Sequence, residues 1–196
     1  MIFYIMGKSA TGKDTLYKKL LTENLMLKTV PIYTTRPKRD GETDGHEYNF
    51  VSEKYLNDHK NEIIEKRVYN TVFGPWYYAT LDDGTIKSGS NYLIIGTLES
   101  YNAVKKYYGV DKVFPIYLEV SNDVRRTRAM KRESLQKVPK FDEMERRFRA
   151  DEIDFCEENI KAVGINKRYN ADNFDICVPQ IISDIKNIID QENPQN

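Results

Sequence analysis

The chain opens with Met1-Ile2-Phe3-Tyr4-Ile5-Met6 and continues with Gly7-Lys8-Ser9-Ala10-Thr11-Gly12-Lys13. The first run is continuously apolar and β-rich, as in a strand that is covered on both faces of a parallel sheet. The second run matches G-x-x-x-x-G-K, a loop that wraps phosphate groups where it follows a buried strand and opens a helix. Glycines let successive backbone N–H groups turn toward a phosphate, and the helix dipole favours its negative charge. The sequence therefore predicts a strand, a triphosphate-binding loop and a helix, with Lys13 reaching the β and γ phosphates.

A plain glycine turn between strand and helix is the alternative, and the combination of position, spacing and lysine argues against it. The loop departs from the usual pattern at Asp14, which stands where Ser or Thr is expected and is followed by Thr15. A carboxylate is a good ligand for Mg²⁺, so Asp14 could bind this ion directly or through water, or Thr15 could supply the oxygen. Equally, Asp14 could serve only to stabilise the helix N-terminus electrostatically.

The composition is that of one globular domain. The 196 residues include 40% hydrophobic and 12% aromatic side chains, enough for a buried core. Lys and Arg number 30, as do Asp and Glu, so no global field attracts nucleic acid or an anionic membrane. Cys156 and Cys177 lack metal-ligand spacing and are expected to be free thiols. Since no apolar run approaches the ~20 residues of a membrane span, and no basic, signal-like start is present, we expect a cytoplasmic protein.

Apolar runs alternate with amphipathic stretches, which predicts a parallel α/β sheet with helices on its faces. The expected strands after the first are 28–33, 92–95 and 113–120, and the expected helices are 13–23, 98–108, 122–133, 141–158 and 178–189. Residues 34–48 are basic and rich in Pro and Gly, which predicts a loop. Residues 53–67 have a helical pattern and 68–80 an extended one, so this part is expected to form a small lobe.

A long segment after the glycine loop resembles the guanylate kinase family, whose pattern there is T-T-R-x-x-R-x-G-E-x-x-G-x-x-Y-x-F-V. The segment reads Thr34-Thr35-Arg36-Pro37-Lys38-Arg39-Asp40-Gly41-Glu42-Thr43-Asp44-Gly45-His46-Glu47-Tyr48-Asn49-Phe50-Val51. In that family two arginines and a tyrosine hold the phosphate of GMP, and the resemblance assigns this role to Arg36, Arg39 and Tyr48. Two planar guanidiniums also suit a phosphate dianion chemically. The fixed spacing to Tyr48 disfavours the alternative, a solvated basic turn.

The base-binding residues of the family also have counterparts. Ile63-Ile64-Glu65 resembles F-I-E, whose glutamate accepts hydrogen bonds from guanine, and Tyr78-Ala79-Thr80 resembles Y-G-S/T. The resemblance thus assigns GMP binding to Glu65, Tyr78 and Thr80. The intervening stretch is longer than usual, so Tyr77 is an alternative to Tyr78. For Glu65 the alternative is a surface glutamate on a charged helix.

Two polar features of the family are missing. Its D-x-D acids, which assist magnesium and contact guanine, are replaced by Gly96 and Leu98, and the nearby Glu99 is out of register. Ile32 stands where the family has a serine that contacts the base. These differences predict either a different magnesium arrangement, with Asp14 compensating, or an altered base selectivity.

The carboxyl-terminal half resembles the family's lid. Arg128 and Arg132, four apart on one helix face, resemble its R-x-x-x-R arginines, and Arg147 resembles the arginine that reaches the transferring phosphoryl group. Asn170 resembles an asparagine that contacts adenine. The remaining arginines of this region are expected to be solvated charges; they are Arg125, Arg126, Arg146 and Arg149.

The resemblance implies a three-layer α/β fold of P-loop kinase type, with a parallel central sheet, a helical lid and a small mixed α/β lobe. One domain is expected over residues 1–196, with its core at 1–32 and 81–190, the monophosphate-binding lobe at about 33–80 and the lid at about 125–150. Residues 7–15 would bind ATP. The implied reaction moves the γ-phosphoryl group of MgATP to GMP or dGMP, in a monomer or homodimer that binds neither nucleic acid nor membrane. The alternatives are a kinase for another monophosphate or small metabolite, and a non-catalytic binding module.

Overall fold

A computed structural model describes residues 1–39, 41–45, 48–71 and 74–192 of the chain. The strands within these residues are β1 (Ile2–Met6), β2 (Leu27–Thr29), β3 (Ile32–Thr34), β4 (Tyr48–Phe50), β5 (Ile63–Thr71), β6 (Gly74–Leu81), β7 (Asn91–Ile95), β8 (Val113–Glu119) and β9 (Arg168–Asn170). The helices there are α1 (Lys13–Thr22), α2 (Glu53–Asp58), α3 (Leu98–Tyr108), α4 (Asn122–Ser134), α5 (Phe141–Asp154), α6 (Glu157–Ala162) and α7 (Phe174–Glu192). None of these helices is both long and apolar enough to cross a membrane.

Five strands of the described chain form a parallel core sheet in the order β2-β7-β1-β8-β9. Alternate residues of β1 face opposite sides of this sheet. Phe3 and Ile5 are fully buried in a cluster with residues of α1 and α7, whereas Tyr4 and Met6 are fully buried in a second cluster with residues of α3 and α6. The expected three-layer α/β fold with a parallel central sheet is therefore confirmed.

The small lobe has a second sheet, with strands in the order β4-β3-β6-β5. Its strand β3 pairs parallel to β4 and antiparallel to β6, and β5 and β6 form an antiparallel hairpin. A separate apolar cluster lies under this sheet and includes Tyr33, Leu56 and Leu81. Neighbouring residues on a strand point to opposite faces of the sheet. The pairing of β5 with β6 therefore determines which side chains of the hairpin lie on the same face as Glu65.

The structure corrects several predicted elements. The single strand expected at 28–33 is two strands, because Pro31 cannot donate a ladder hydrogen bond and the chain passes there from the core sheet to the lobe sheet. The helix expected at 53–67 ends after α2, and Glu65 lies on β5, where pairing with β6 outweighs the helical pattern. The helix expected at 141–158 is two helices, α5 and α6, separated at Phe155 and by the extended backbone of Cys156.

The remaining helices and strands agree with the prediction in part. The helix at 98–108 is confirmed, and the closing helix begins earlier than expected, at Phe174. The strand β9 was not predicted. The two cysteines are free thiols, as expected. Asp40, His46 and Glu47 of the segment that carries the resemblance, and residues 193–196 of the expected domain, lie outside the described residues.

The end of β7 is closely packed around Gly96. The Tyr4 hydroxyl donates to Ser100 Oγ at 2.8 Å, and Ser100 and Thr97 form a capping box at the start of α3. A Cβ at Gly96 would lie 2.2 Å from the Tyr4 hydroxyl oxygen and 2.6 Å from Ser100 Oγ. Leu98, at the position of the second missing acid, is 5% exposed and belongs to the apolar core. Position 96 therefore has no room for a carboxylate, and position 98 is filled by an apolar core side chain.

We expect Gly96→Ala to lower the free energy of unfolding by about 1–3 kcal/mol, as overpacking does in a tight core. Tyr4→Phe in the same chain removes the oxygen that the new methyl group meets, so the double variant should lose less than the sum of the two single losses. Urea unfolding of the four proteins measures this coupling. Additive losses, or a Gly96→Ala protein as stable as the wild type, would contradict the packing.

Candidate active site

The carboxyl ends of the core strands bring distant segments of the chain together. β1 runs into the glycine loop, β8 leads to α4, and β9 leads to α7. In an open parallel sheet, ligands bind at this edge. The glycine loop, the helices expected to form the lid and the segment before α7 thus meet at the place where a nucleotide site is expected.

The backbone of the loop requires glycine at both ends. Gly7 has a φ of 149°, and a Cβ there would lie 2.6 Å from the carbonyl oxygen of Leu118. Gly12 has a φ of 95°, and a Cβ there would lie 2.7 Å from the ring of Phe174. Between them Ala10 adopts a left-handed φ of 63°, which is uncommon for a residue with a Cβ. The backbone is therefore wound tightly before α1, as in loops whose amides bind phosphate.

Lys13 lies against this loop. Its Nζ donates to the carbonyl oxygens of Gly7 at 2.7 Å and Lys8 at 2.9 Å. Removal from water lowers the pKa of Lys13 to about 8; the carboxylates of Asp151 and Asp14 oppose this shift, and the cation of Arg147 adds to it. A desolvated cation beside the loop amides suits a phosphate group, whose negative charge would replace the missing solvation.

Asp14 and Thr15 lie in the first turn of α1 with exposed side chains. Their oxygens are of the hard type that Mg²⁺ prefers, and Mg²⁺ is usually bound by one or two carboxylates together with phosphate oxygens of a substrate. Within the described residues, no cluster of three or more His, Cys, Asp or Glu side chains could hold a metal alone. The donors present therefore fit an ion that arrives with a triphosphate. The carboxylate of Asp14 also suits the N-terminus of α1 electrostatically.

A buried ion pair ties the loop to the two helices α4 and α5. Arg125 is completely buried, and it donates to Asp151 Oδ2 at 2.7 Å and to the carbonyl oxygen of Ser9 at 3.0 Å. Asp151 in turn accepts from the Ser9 amide at 2.7 Å. The Arg125 guanidinium lies 4.6 Å from the ring centroid of Phe148, a cation–π contact. Ser9 is thus held through both its amide and its carbonyl group.

The expectation that Arg125 is a solvated charge is therefore wrong. The spacing of residues along α4 and α5 could have predicted that Arg125 is buried. Met144, Phe148 and Asp151 follow the spacing of one buried helix face, and Arg125 and Ala129 do the same on α4. A charged residue on each of two apolar faces indicates a buried pair. Arg126, Arg146 and Arg149 are exposed, as expected.

The phosphate-binding arginine expected in the lobe is also buried. Arg36 is 4% exposed and forms a fork with Glu42, at 3.0 Å from Nη1 and 2.7 Å from Nη2. This bonding raises the pKa of Arg36. The guanidinium lies over the rings of Tyr48 and Phe50, at 5.3 and 5.4 Å. The Glu42 carboxylate therefore occupies the fork that a phosphate would use.

Tyr78, and not Tyr77, faces this arginine. The ring of Tyr78 contacts that of Tyr48 at 5.8 Å, and Tyr78 contributes to the raised pKa of Arg36. Tyr77 points to the opposite side of β6, toward the lobe's apolar cluster. The side chain of Arg39 is exposed at the rim.

Tyr48 also connects the lobe to the phosphate loop. Burial raises the pKa of Tyr48, the cation of Arg36 opposes that shift, and the carboxylate of Asp14 adds to it. Asp14 follows the glycine loop, whereas Tyr48 belongs to the lobe. Asp14 is therefore close enough to Tyr48 to affect its pKa, so the two predicted phosphate sites lie near each other.

The expected base-binding residues converge on the hairpin. Glu65 is 8% exposed, so the alternative of a surface glutamate on a helix is wrong. Thr80 is buried opposite Glu65 and donates to Glu65 Oε1 at 2.9 Å. Arg67, which was not predicted to belong to the site, shares this strand face and donates from Nε to Glu65 Oε2 at 3.0 Å. Strand alternation would have placed both charges together, had 63–71 been recognised as a strand.

The lid arginines have different positions. Arg128 donates from Nη2 to the carbonyl oxygens of Ala171 and Asp172, and its Nη1 is buried without a hydrogen-bond partner in the described residues. Arg132 and Arg147 have exposed side chains, and Arg147 is close enough to Lys13 to lower its pKa. Asn170 ends β9 and accepts from the Asp172 amide, which places it beside the Arg128 contacts.

Comparison with known proteins connects this geometry to one family. The family model described as guanylate kinase matches residues 2–86. A guanylate kinase of Helicobacter hepaticus is 31% identical over 141 residues, which cover 68% of this chain and 67% of that protein. A guanylate kinase of Neisseria gonorrhoeae is 31% identical over 117 residues, 56% of each chain. The crystal structure of guanylate kinase from Anaplasma phagocytophilum superposes with a TM-score of 0.61 at 20% identity, covering 100% of this chain and 87% of that one, and shows a shared fold.

The lowered pKa of Lys13 predicts a pH dependence of nucleotide binding. The charged form binds phosphate, and phosphate would raise the pKa above its value of about 8 in the free protein. Above that pH the free lysine is neutral and must take up a proton to bind. Affinity for a nucleoside triphosphate should therefore be insensitive to this group below about pH 7 and fall by up to about tenfold per pH unit above pH 8. Calorimetric titration between pH 7.5 and 9.5 measures it.

Lys13→Gln serves as the control, because glutamine does not titrate. The variant should bind more weakly and with a flat profile over the same range. Equal slopes for wild type and variant would assign the pH dependence to another group.

The buried pair predicts a large contrast between neighbouring arginines. Arg125→Met leaves Asp151 without its cation and should cost about 3–5 kcal/mol of unfolding free energy. Arg126→Gln breaks the exposed pair with Glu145 and a contact with the ring of Phe148, and should cost less than about 1 kcal/mol. Chemical denaturation of both variants measures the two losses of unfolding free energy. Similar losses would show that the buried network does not hold the loop.

Proposed function

The chain belongs to the guanylate kinase family, and we propose that it transfers the γ-phosphoryl group of MgATP to GMP, or to dGMP, giving ADP and GDP. The observation that carries this function is the pairing of two phosphate sites. A tightly wound loop holds Lys13, and the lobe holds Arg36 beside Tyr48 and Tyr78. Phosphoryl transfer needs in-line placement and neutralised charge more than covalent help from the protein, and two phosphate sites near each other supply both.

On the donor side, residues 7–15 bind ATP. The loop amides surround the β phosphate, and Lys13 leaves the carbonyl oxygens of Gly7 and Lys8 to bind the β and γ phosphates. Asn170 lies beside the adenine. Arg128, Arg132 and Arg147 close over the moving phosphoryl group.

On the acceptor side, Arg36 exchanges the Glu42 carboxylate for the phosphate of GMP. Arg39 closes from the rim, and the hydroxyl groups of Tyr48 and Tyr78 donate to the same phosphate. Glu65 accepts hydrogen bonds from guanine while Thr80 orients its carboxylate, as the bond at 2.9 Å supports.

Magnesium would be held by Asp14 and Thr15 together with the triphosphate. When bound there, the ion neutralises phosphate charge and fixes the geometry of the chain of phosphates. The protein's own part is to present these two exposed oxygens at the N-terminus of α1. The cytoplasmic location, the monomer or homodimer and the lack of nucleic-acid and membrane partners stay predictions.

Two observations favour GMP over the alternatives. The buried Glu65 suits the N–H groups of guanine and would repel the ring nitrogens of adenine, which argues against another purine. The wound loop with Lys13 and the buried network around Ser9 support a catalytic role, whereas a non-catalytic binding module would have no need of Lys13.

We expect purified protein with MgATP to phosphorylate GMP at least about tenfold more efficiently than AMP, CMP or UMP, since one mismatched hydrogen-bonding edge costs at least that much. A coupled assay of ADP release compares the four acceptors. Lys13→Met should lower kcat by about 10²–10³-fold, because a cation that stabilises the transferring group is lost. Near-normal turnover in this variant, or no turnover of any monophosphate by wild type, would overturn the proposed function.

A further inference from the structure

A second, largely buried charge lies beside Glu65, the guanidinium of Arg67. The two residues are two apart on β5 and therefore share one face. Their side chains are 5% and 11% exposed. Nε of Arg67 donates to Glu65 Oε2 at 3.0 Å, and Nη2 lies 3.4 Å from Oε1. The carboxylate is thus held from one side by Arg67 and from another by Thr80.

Arg67 also reaches across to the core. Its Nη1 lies 3.4 Å from Thr97 Oγ1, at the start of α3. Burial opposes the charge of Arg67, but the Glu65 carboxylate together with Tyr4 and Tyr69 raises the pKa of Arg67. A guanidinium has five N–H groups, and these contacts within the described residues use three, which leaves two for a ligand.

Other donors near Glu65 are already committed. The Thr80 hydroxyl gives its proton to Glu65, and Ser100 and Thr97 serve the cap of α3. Leu98 and Ile32 carry no polar group. Among the described residues around Glu65, Arg67 therefore supplies the N–H donors that a base could use.

A donor beside a carboxylate matches one kind of purine edge. Guanine presents an acceptor oxygen at position 6 and N–H donors at position 1 and on the 2-amino group. The carboxylate suits the donors, and the guanidinium suits the oxygen. A 6-amino purine presents the opposite order, so an N–H of Arg67 would face an N–H of the base, and a buried mismatch of this kind is costly.

We propose that Arg67 is a specificity-determining residue, which donates to the 6-oxo oxygen of the acceptor base and positions the Glu65 carboxylate for the N–H at position 1. This inference rests on the proposed function. It explains how the chain selects a 6-oxopurine although Gly96, Leu98 and Ile32 offer the base no hydrogen bond from their side chains.

The test compares three acceptors in wild type and Arg67→Gln. GMP and inosine monophosphate both carry the 6-oxo group and the N–H at position 1, inosine monophosphate lacks the 2-amino group, and AMP lacks the oxygen. We expect kcat/KM of the variant to fall about 10–100-fold for both oxopurines, mainly through KM, because a charged hydrogen bond is lost. The value for AMP should not fall, so the preference for GMP over AMP should drop by the same factor.

Lys66→Gln is the matched control. Lys66 is the neighbouring cation on the same strand, is exposed on the opposite face and lies over Tyr77. Its replacement should leave the preference among the three acceptors unchanged.

Arg67→Lys guards against misfolding, because it keeps the cation but lacks the planar fork. It should stay folded in thermal unfolding and still lose most of the preference. If both variants keep the wild-type ratio of GMP to AMP, or lose activity equally for all three acceptors, Arg67 has only a structural role. If wild type phosphorylates none of the three, the proposed function itself fails, which is a different outcome.

Discussion

Asp151 accepts hydrogen bonds from the Ser9 amide and from the Arg125 guanidinium, at 2.7 Å each, and this bridge joins the phosphate loop to α4 and α5. The arginines expected to close over the reaction lie on those same two helices. A loop that must keep left-handed backbone at Ala10 and Gly12 needs such support, because the backbone has easier conformations available. Because the pair of Arg125 and Asp151 is buried, it is stable only while both charges are present. The shape of the loop is therefore physically connected to the positions of α4 and α5.

The division of the molecule into two sheets gives each predicted binding site its own framework. The core sheet carries the triphosphate loop at its carboxyl edge, and the lobe sheet carries Arg36, Tyr48 and Glu65 on a separate framework with its own small apolar cluster. Pro31 lies where the chain leaves one sheet for the other. Each substrate thus has a rigid platform, and contacts such as the one between Arg67 and Thr97 connect the two.

Much of the fold was predictable because its signals are local. The apolar run of β1, the glycine loop and the helix α3 follow from patterns within a dozen residues or so, and the structure confirms them. The wrong predictions concern residues whose structure depends on partners far along the chain. Residues 63–71 form a strand because β6 pairs with them, and Arg125 is buried because Asp151, far along the chain, provides its counter-charge. The filled space at Gly96 likewise depends on Tyr4, which no pattern near residue 96 reveals. The roles assigned to single site residues come from the resemblance, and they stay predictions.

The central claim is that the glycine loop holds the triphosphate while Arg36 holds the acceptor's phosphate. A crystal structure with GMP, Mg²⁺ and a non-hydrolysable ATP analogue tests it most directly. The account predicts that Lys13 Nζ moves from the carbonyl oxygens of Gly7 and Lys8 to the phosphates, and that the phosphate of GMP replaces Glu42 in the fork of Arg36. A loop without phosphate, or an Arg36 still paired with Glu42 while GMP is bound elsewhere, would contradict it.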